Sequence, residues 1–296
     1  MNILFLGAGK RVTMSKIFTD NGFTVFSYET DYNLPISKYA KIILGKKWKD
    51  PEIIQHLRDI VDQYKIQLII PFQDAAIELC DQLKVYCNVL ASNEETAKIC
   101  HNKKKLEEFM LINFPEIYPT ELKNQKRIYK PINGFGGKGI IQSDTELHLD
   151  NYVCQRVIQG IEYSVDCFSD KKGKLLDCVC RKRLEVCCGE VSKSETIFHP
   201  DMVHLVKNLA KKLNIIGPSN FQFIQENNTD KLYLIEINCR FGGGFTFSYE
   251  AGLDFIQIIK NDYFNEKSEY IAKPFKQLHL IRYYEDYTYE KQENSY

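Results

Sequence analysis

A chain of 296 residues, 44% of them hydrophobic and 26% charged, has enough apolar side chains for a full core, and its length suggests two or three lobes. Lysine plus arginine and aspartate plus glutamate both number 39, which leaves no global positive field to hold a nucleic-acid backbone or an anionic membrane. The expected partner is a small molecule.

The opening "MNILFLGAGK" has no basic residue before its apolar run, and Gly7 and Gly9 cut that run short of a signal-peptide core. No stretch approaches a membrane span, so a cytoplasmic protein is expected. The ten cysteines show no paired CxxC spacing: Cys178 and Cys180 alternate, and Cys187 and Cys188 are adjacent. They read as scattered thiols in a reducing cytosol.

In chain order, "NILFLGAG" predicts a strand ending in a glycine turn. Val12, Met14, Ile17 and Phe18 then share a helical face before the stop at Asn21-Gly22. "TVFSYETD" predicts a second strand, "DPEIIQHLRDIVDQYKI" a helix capped by Asp50 with Pro51 in its first turn, and "QLIIPF" a third strand. Strands alternating with helices imply a parallel, doubly wound sheet over residues 1–95. The GAGK turn is a weak dinucleotide signal: Val12 stands where the fingerprint needs its third glycine, and Asp31 is a common strand-end acid. Neither "GAGKRVT" nor "NGFGGKGI" is a P-loop, because Gly139 follows Lys138 where a hydroxyl residue is required.

"NEETAKICHNKKKLEEFMLIN" reads as one helix with a basic run, Lys103 to Lys105. In "RIYKPINGFGGKGI" a short strand carries Lys130, Pro131 halts its ladder, and a loop with Gly134, Gly136, Gly137 and Gly139 follows. Such a loop lets backbone N–H groups close over phosphate oxygens, with Lys130 and Lys138 supplying charge; its bland alternative is a hairpin tip.

The next stretch, from Tyr152 to Val186, predicts three strands with a tight turn at Lys172-Gly173. Glu162, Ser164 and Asp166 share one strand face, and Arg181 and Arg183 share a face of another, as edge charges or as an anion site. "PDMVHLVKNLAKKLNI" is an amphipathic helix. After it, "PSNFQFIQENNTDKLYLIEIN" predicts a hairpin in which Gln222, Glu236 and Asn238 converge as oxygen donors, a set that suits Mg²⁺ sharing its shell with phosphates. Arg240 follows one strand step beyond. The polar, tyrosine-rich tail "RYYEDYTYEKQENSY" predicts an edge strand fading into a disordered end.

Taken in order, Lys130-Pro131, the glycine-rich loop, "EYSVD", "SNFQF" and "IEINCRFGGGF" resemble the ATP-grasp superfamily. The likeness is to the branch of carbamoyl-phosphate synthase ATP-binding domains and stand-alone carboxylate–amine ligases, and it covers nearly the whole chain. The resemblance implies an α/β protein with the ATP-grasp fold. Residues 1–95 would form a Rossmann-like domain preceding the grasp, 96–152 a small lid subdomain, and 153–296 a mainly antiparallel α+β subdomain. "IIPFQDAAIEL" is similar to a recurrent element whose acids, here Asp74 and Glu78, face the cleft.

The resemblance also implies roles. Lys103 and Lys130 contact ATP phosphates, residues 133–139 with Gly136, Gly137 and Lys138 form a mobile lid, and Gln155, Arg156, Val157 and Ile158 hold adenine. Glu162 bonds the ribose, Gln222, Glu236 and Asn238 bind one or two Mg²⁺ ions (Mn²⁺ as a substitute), and Arg240 meets the transferred phosphate. Arg181 and Arg183 are candidates for the carboxylate side by position and charge. Two departures, Asn102 and Gln155 where acids are frequent, bear on the nucleotide's adenine end.

The activity implied is ADP-forming ligation of a small carboxylate and an amine, amino-acid-like or otherwise, through an acyl phosphate. Homodimers are frequent in the family. The alternatives are a nonenzymatic Mg-ATP sensor, a carboxylate kinase that releases the acyl phosphate, and, on GAGK and Asp31 alone, a dinucleotide-dependent oxidoreductase.

Overall fold

The structure, a computed structural model, describes residues 1–120, 125–134, 136–187, 189–266 and 268–289. Phe135 of the glycine loop, Cys188 and tail residues 290–296 lie outside the described residues.

The apolar run after Met1 is strand β1 (Asn2–Leu6), with Ile3 to Leu6 fully buried because helices cover both faces of its sheet. α1 (Val12–Asp20), β2 (Thr24–Glu29), β3 (Lys41–Leu44), α2 (Ile53–Tyr64), β4 (Leu68–Pro71), α3 (Asp74–Ile77), α4 (Cys80–Leu83) and β5 (Asn88–Val89) follow. The strands pair in parallel in the order β3-β2-β1-β4-β5. This is the doubly wound sheet that the sequence predicts, with two short strands more than its pattern showed. α1 packs Met14, Ile17 and Phe18 against one face, while α2 to α4 cover the other with Leu57, Ile60, Ile77 and Leu83.

The single helix read across Asn102 is two. α5 (Glu94–His101) ends where Asn102 takes an extended ψ of 110°, and α6 (Lys103–Asn113) begins there, capped by the Asn102 carboxamide, which accepts from the Lys104 and Lys105 amides. Lys103 therefore opens a helix at the cleft.

β6 (Arg127–Pro131), β7 (Ile141–Ser143) and β8 (Tyr152–Arg156) form a small antiparallel sheet in the order β7-β6-β8. β8 pairs with β6 along its whole length, Lys130 opposite Val153. All of β8, residues 152–156, thus belongs to the small sheet.

A six-stranded antiparallel sheet completes the chain. β9 (Gly160–Ser169), β10 (Leu175–Cys187), β11 (Glu190–Ile197), α7 (Pro200–Leu213), β12 (Gly217–Glu226), β13 (Leu232–Asn238), α8 (Phe245–Glu250), α9 (Phe255–Tyr263) and β14 (His279–Ile281) supply it, in the order β13-β12-β9-β10-β11-β14. The tail's edge strand thus precedes the tyrosine-rich stretch. α7 buries Met202, Val206, Leu209 and Leu213 against one sheet face together with Leu106 and Met110 of α6.

On the other side, Phe241, Phe245 and Phe255 join Phe5, Phe18 and Phe72 of the first lobe in one core. The Phe72 and Phe241 rings stack at 5.5 Å. Burying each such ring is worth roughly 2 kcal/mol or more. This shared core fixes the turn after β13 against the end of β4, where the site lies.

Candidate active site

β13 turns its polar residues toward an open cleft through an irregularity. Against β12, Leu234 pairs with Phe223 and Glu236 with Gln222, which leaves Ile235 without a partner. This extra residue is a β-bulge. Before it the even-numbered Leu232 and Leu234 face the core; after it the odd-numbered Ile237 and Cys239 do. Glu236 and Asn238 are thereby freed to line the cleft with Gln222. The three oxygen donors share a face, as the sequence predicts, but an unbroken strand would have put Leu234 on that face as well.

The cleft encloses about 530 Å³, inside the roughly 300–1,000 Å³ range of small-molecule sites. Lys103, Lys130, Gly136, Gly137, Lys138, Glu162, Arg183 and Arg240 also line it. Lys130, near the end of β6, is 7% exposed. Desolvation pulls its pKa down to about 8, opposed by Glu236 and Glu162 and assisted by Lys103. Lys103 is lowered by burial too, against the pull of Glu236 and Asp74, and its Nζ donates to the Gly134 carbonyl at 2.5 Å. That bond ties the start of α6 to the glycine loop.

The loop closes over the cleft. Gly136, Gly137 and Gly139 all have positive φ, and the loop meets the β10–β11 hairpin at Gly189: a Cβ on Gly189, itself at φ +80°, would lie 3.0 Å from the Gly136 Cα. Only glycine at this contact lets the two backbones touch. Glu162 pairs with Arg183 at 3.2 Å on the cleft floor.

Arg240 is oriented from the first lobe. Its Nε and Nη2 donate to the two carboxylate oxygens of Asp74 at 2.9 and 3.0 Å, and Nη2 also donates to Asn238 Oδ1 at 3.0 Å. Burial pushes the Asp74 carboxyl up, but His101 and Arg240 together outweigh it and hold it well below the usual carboxylate range. His101, 3.8 Å from Asp74, is raised mainly by that pairing. Sequence comparison by resemblance pointed to Asp74; it gave no hint of His101.

Three expectations fare differently. Arg181 is 1% exposed and does not line the cleft: it pairs with Asp166 at 2.8 Å, and Asp166 also accepts from Asn220 at 2.7 Å and Ser248 at 2.6 Å. It is an internal brace for the sheet, not an anion site, because the turn after β13 and α8 cover it while Arg183, two residues on, stays open. The 155–158 segment also stands apart from the cleft lining. Arg156 is engaged by Glu226 at 2.6 Å, the Val157 amide by the Lys126 carbonyl at 2.8 Å, and Ile158 is buried. Gln155 donates to the Tyr118 hydroxyl at 2.6 Å, and its buried Oε1 has no partner. Finally, the GAGK turn is filled from within. Glu29 accepts from the Gly9 amide at 2.9 Å, and Gln73 donates to the Gly7 carbonyl at 3.1 Å. Burial raises the Glu29 carboxyl.

Arg11 and Glu190, which the sequence did not single out, also line the cleft, and Arg282 pairs with Glu190 from outside that lining. Arg11 directly follows GAGK, a turn weighed only for phosphate loops.

A nucleotide-sized cleft between an antiparallel hairpin sheet and a three-stranded lid, beside a parallel sheet, is the ATP-grasp fold. Residues 148–285 match the family described as "ATP-grasp in the biosynthetic pathway with Ter operon". No curated protein sequence matches the chain. Among solved structures, it is similar to N5-carboxyaminoimidazole ribonucleotide synthetase in an ADP complex: TM-score 0.73, 16% identity, 94% of this chain and 79% of that one. It also resembles an L-amino acid ligase from Bacillus licheniformis: TM-score 0.66, 17% identity, 88% of this chain and 74% of the other. A third likeness is to the biotin carboxylase domain of a Hydrogenobacter thermophilus 2-oxoglutarate carboxylase with MgADP, ADP and bicarbonate: TM-score 0.70, 13% identity, 94% and 73% covered. At such identities the likeness establishes the fold. No helix among the described residues is long and apolar enough to cross a membrane.

Proposed function

We propose that the chain is an ADP-forming carboxylate–amine ligase that uses Mg-ATP to activate a small carboxylate as an acyl phosphate. The observation that carries this reading is the bulge at Ile235, which turns Glu236 and Asn238 into the same cleft as the desolvated Lys103 and Lys130 and the glycine loop. Three lobes would meet there, residues 1–95, 96–156 and the remainder.

The residues suit both ligands. Lys130 is a cation placed where only an anion would compensate its desolvation. Gln222, Glu236 and Asn238 offer one carboxylate and two amides. Among the described residues there is no cluster of three or more His, Cys, Asp or Glu able to hold a metal. So lean a donor set fits Mg²⁺ that completes its shell with phosphates and water. The ion would supply charge neutralisation at the β- and γ-phosphates.

In the reaction, a substrate carboxylate oxygen attacks the γ-phosphorus and ADP leaves with the bond electrons; an amine then attacks the acyl carbon, loses a proton and expels phosphate. The protein supplies position and charge. Arg240, fixed by Asp74, faces the transferred phosphoryl group, Lys103, Lys130 and Lys138 neutralise the phosphate chain, and Glu162 holds the ribose. Gly136 and Gly137 close over the site and keep water from the acyl phosphate. Arg183 stays a candidate for the carboxylate side; Arg181 does not.

ADP release by the purified chain with Mg-ATP and pools of amino acids and small carboxylates tests the proposal, with Glu236→Gln as control. Turnover that requires both a carboxylate and an amine, and drops at least a hundredfold in the control, is expected. Absence of Mg-ATP binding would overturn the reading, and binding without turnover in any pool would favour the sensor.

A further inference from the structure

The far end of the cleft has a chemistry of its own. Arg11 enters it from the turn before α1, Glu190 from the first residue of β11, and Gly242 and Gly243 from the turn after β13. Arg11 Nη2 lies 3.2 Å from Glu190 Oε1. Arg282 donates from Nη1 to the other Glu190 oxygen at 2.7 Å and from Nη2 to the Gly243 carbonyl at 2.7 Å. One carboxylate is therefore shared by two guanidiniums. Arg240 brings a third, matched by Asp74.

Counted together, Arg11, Arg240 and Arg282 exceed Asp74 and Glu190 by one positive charge. Arg11 and Arg240 are the more enclosed of the cations, with side chains 24% and 18% exposed, while Arg282 and Glu190 are more open. Desolvation lowers the Arg11 pKa, Arg240 and Arg282 lower it further, and Glu190 offsets only part. α1 adds to the same field, because no side chain caps its N-terminus and its first turn has no acid. Room is provided as well: a Cβ on Gly243 would stand 3.2 Å from both Arg11 Nη1 and Glu190 Oε2, so glycine lets the guanidinium lie across the turn. A clustered, partly desolvated guanidinium gains most from a carboxylate that it can hold with two hydrogen bonds.

We infer that this end of the cleft receives a second carboxylate of the substrate, so that the acid activated beside Arg240 is a small dicarboxylate. Arg11 contacts the distal carboxylate directly. Glu190 and Arg282 are positioning residues: they hold the Arg11 fork and the Gly242–Gly243 turn. The inference rests on the ligase reading and narrows it. If the cluster were only a latch between the first lobe, the hairpin and the tail, its loss would lower stability and leave substrate affinity unchanged.

The test is calorimetric titration of the full chain, loaded with Mg²⁺ and a non-hydrolysable ATP analogue, with succinate, glutarate, adipate and glutamate and with the monoamide or monoacid of matching length. The wild type should prefer one diacid at least tenfold over its monoacid. Arg11→Gln should lose that preference, with affinity down ten- to a hundredfold, Arg11→Lys should retain part of it, and Arg282→Gln should show a smaller loss; analogue binding should be the same in all. Equal affinity for diacid and monoacid, no diacid binding to the analogue-loaded wild type, or a lower Tm in Arg11→Gln with diacid affinity intact would each overturn it. Failure of the wild type to bind the analogue would instead sink the nucleotide reading, and this inference with it.

Discussion

Lys130 is 7% exposed, and its pKa has been drawn by desolvation from 10.5 to about 8. Between those values the unfolded chain binds more protons than the folded one, so stability rises as pH goes from about 8 toward 10.5. Below pH 8 the full cost of burying the charge is present, on the order of 3 kcal/mol. Under the proposed reading, a nucleotide phosphate is the anion that offsets this cost. Lys130→Met should therefore raise the Tm of the free protein by several degrees at pH 7 while weakening Mg-ATP binding at least a hundredfold, measured by thermal denaturation and calorimetry. Because phosphates would restore the ordinary pKa, nucleotide binding at pH 8 should take up as much as half a proton at Lys130. Titrations in buffers of different ionisation enthalpy will show that uptake, and it should vanish in the variant. Arg181 makes the opposite case. Its buried pairing with Asp166 is structural, so Arg181→Met should cost about 3–5 kcal/mol, the usual penalty for stranding a buried charge. ADP release per folded molecule should change less than tenfold; a selective loss of turnover at unchanged Tm would restore Arg181 to the site.

At the scale of elements, the bulge at Ile235 decides which face of β13 is chemical. Deleting Ile235 would make Leu234 opposite Phe223 and Glu236 opposite Gln222 consecutive rungs of a regular ladder, with Leu232, Leu234, Ile237 and Cys239 still inward and Glu236 and Asn238 still outward. The deletion should therefore yield soluble, folded protein with a modest fall in Tm, as should Ile235→Ala, and recovery of the deletion only as unfolded or aggregated chain would show that the bulge itself is required. Far-ultraviolet circular dichroism and gel filtration separate the two outcomes. This element also marks the boundary of what the sequence discloses. The parallel sheet was readable because its strands are long apolar runs closed by local signals, Gly7 and Asn21-Gly22 among them. Gln222, Glu236 and Asn238 were readable as a set because their spacing is short and polar against an apolar background. The bulge was not, since it exists only in the pairing of β13 with β12. The break at Asn102 was hidden because an asparagine within a polar run serves a helix surface as well as a cap. Arg181 and Arg183 share a face, as alternation requires, but depth along a strand depends on what packs over it, and that comes from β9, α8 and a distant turn.

Across the whole molecule, the cleft is closed by parts far apart in sequence. Arg11 comes from the first lobe, the glycine loop from the small sheet, and Gly189 and Glu190 from the tip of the large one. A ligand that bridges them should stabilise the chain as a unit. At a hundredfold excess over Kd, a ligand bound only by the folded state adds about 2.7 kcal/mol. For a chain of this size that corresponds to roughly 5–10 °C in Tm. Gly189→Ala isolates the lid's share of this gain. Its methyl group would press on the Gly136 backbone, 3.0 Å from its Cα, and the left-handed φ adds a strain of roughly 1 kcal/mol, so the free protein should melt a few degrees lower at most. With the glycine loop held off its seat, the rise produced by Mg-ATP should shrink by half or more, and phosphate released without ligated product should increase as water reaches the acyl phosphate. Thermal melts with and without Mg-ATP, paired with a phosphate-to-product ratio, read both effects. An undiminished rise in Tm with an unchanged ratio would show that the contact between Gly136 and Gly189 has no part in closing the site.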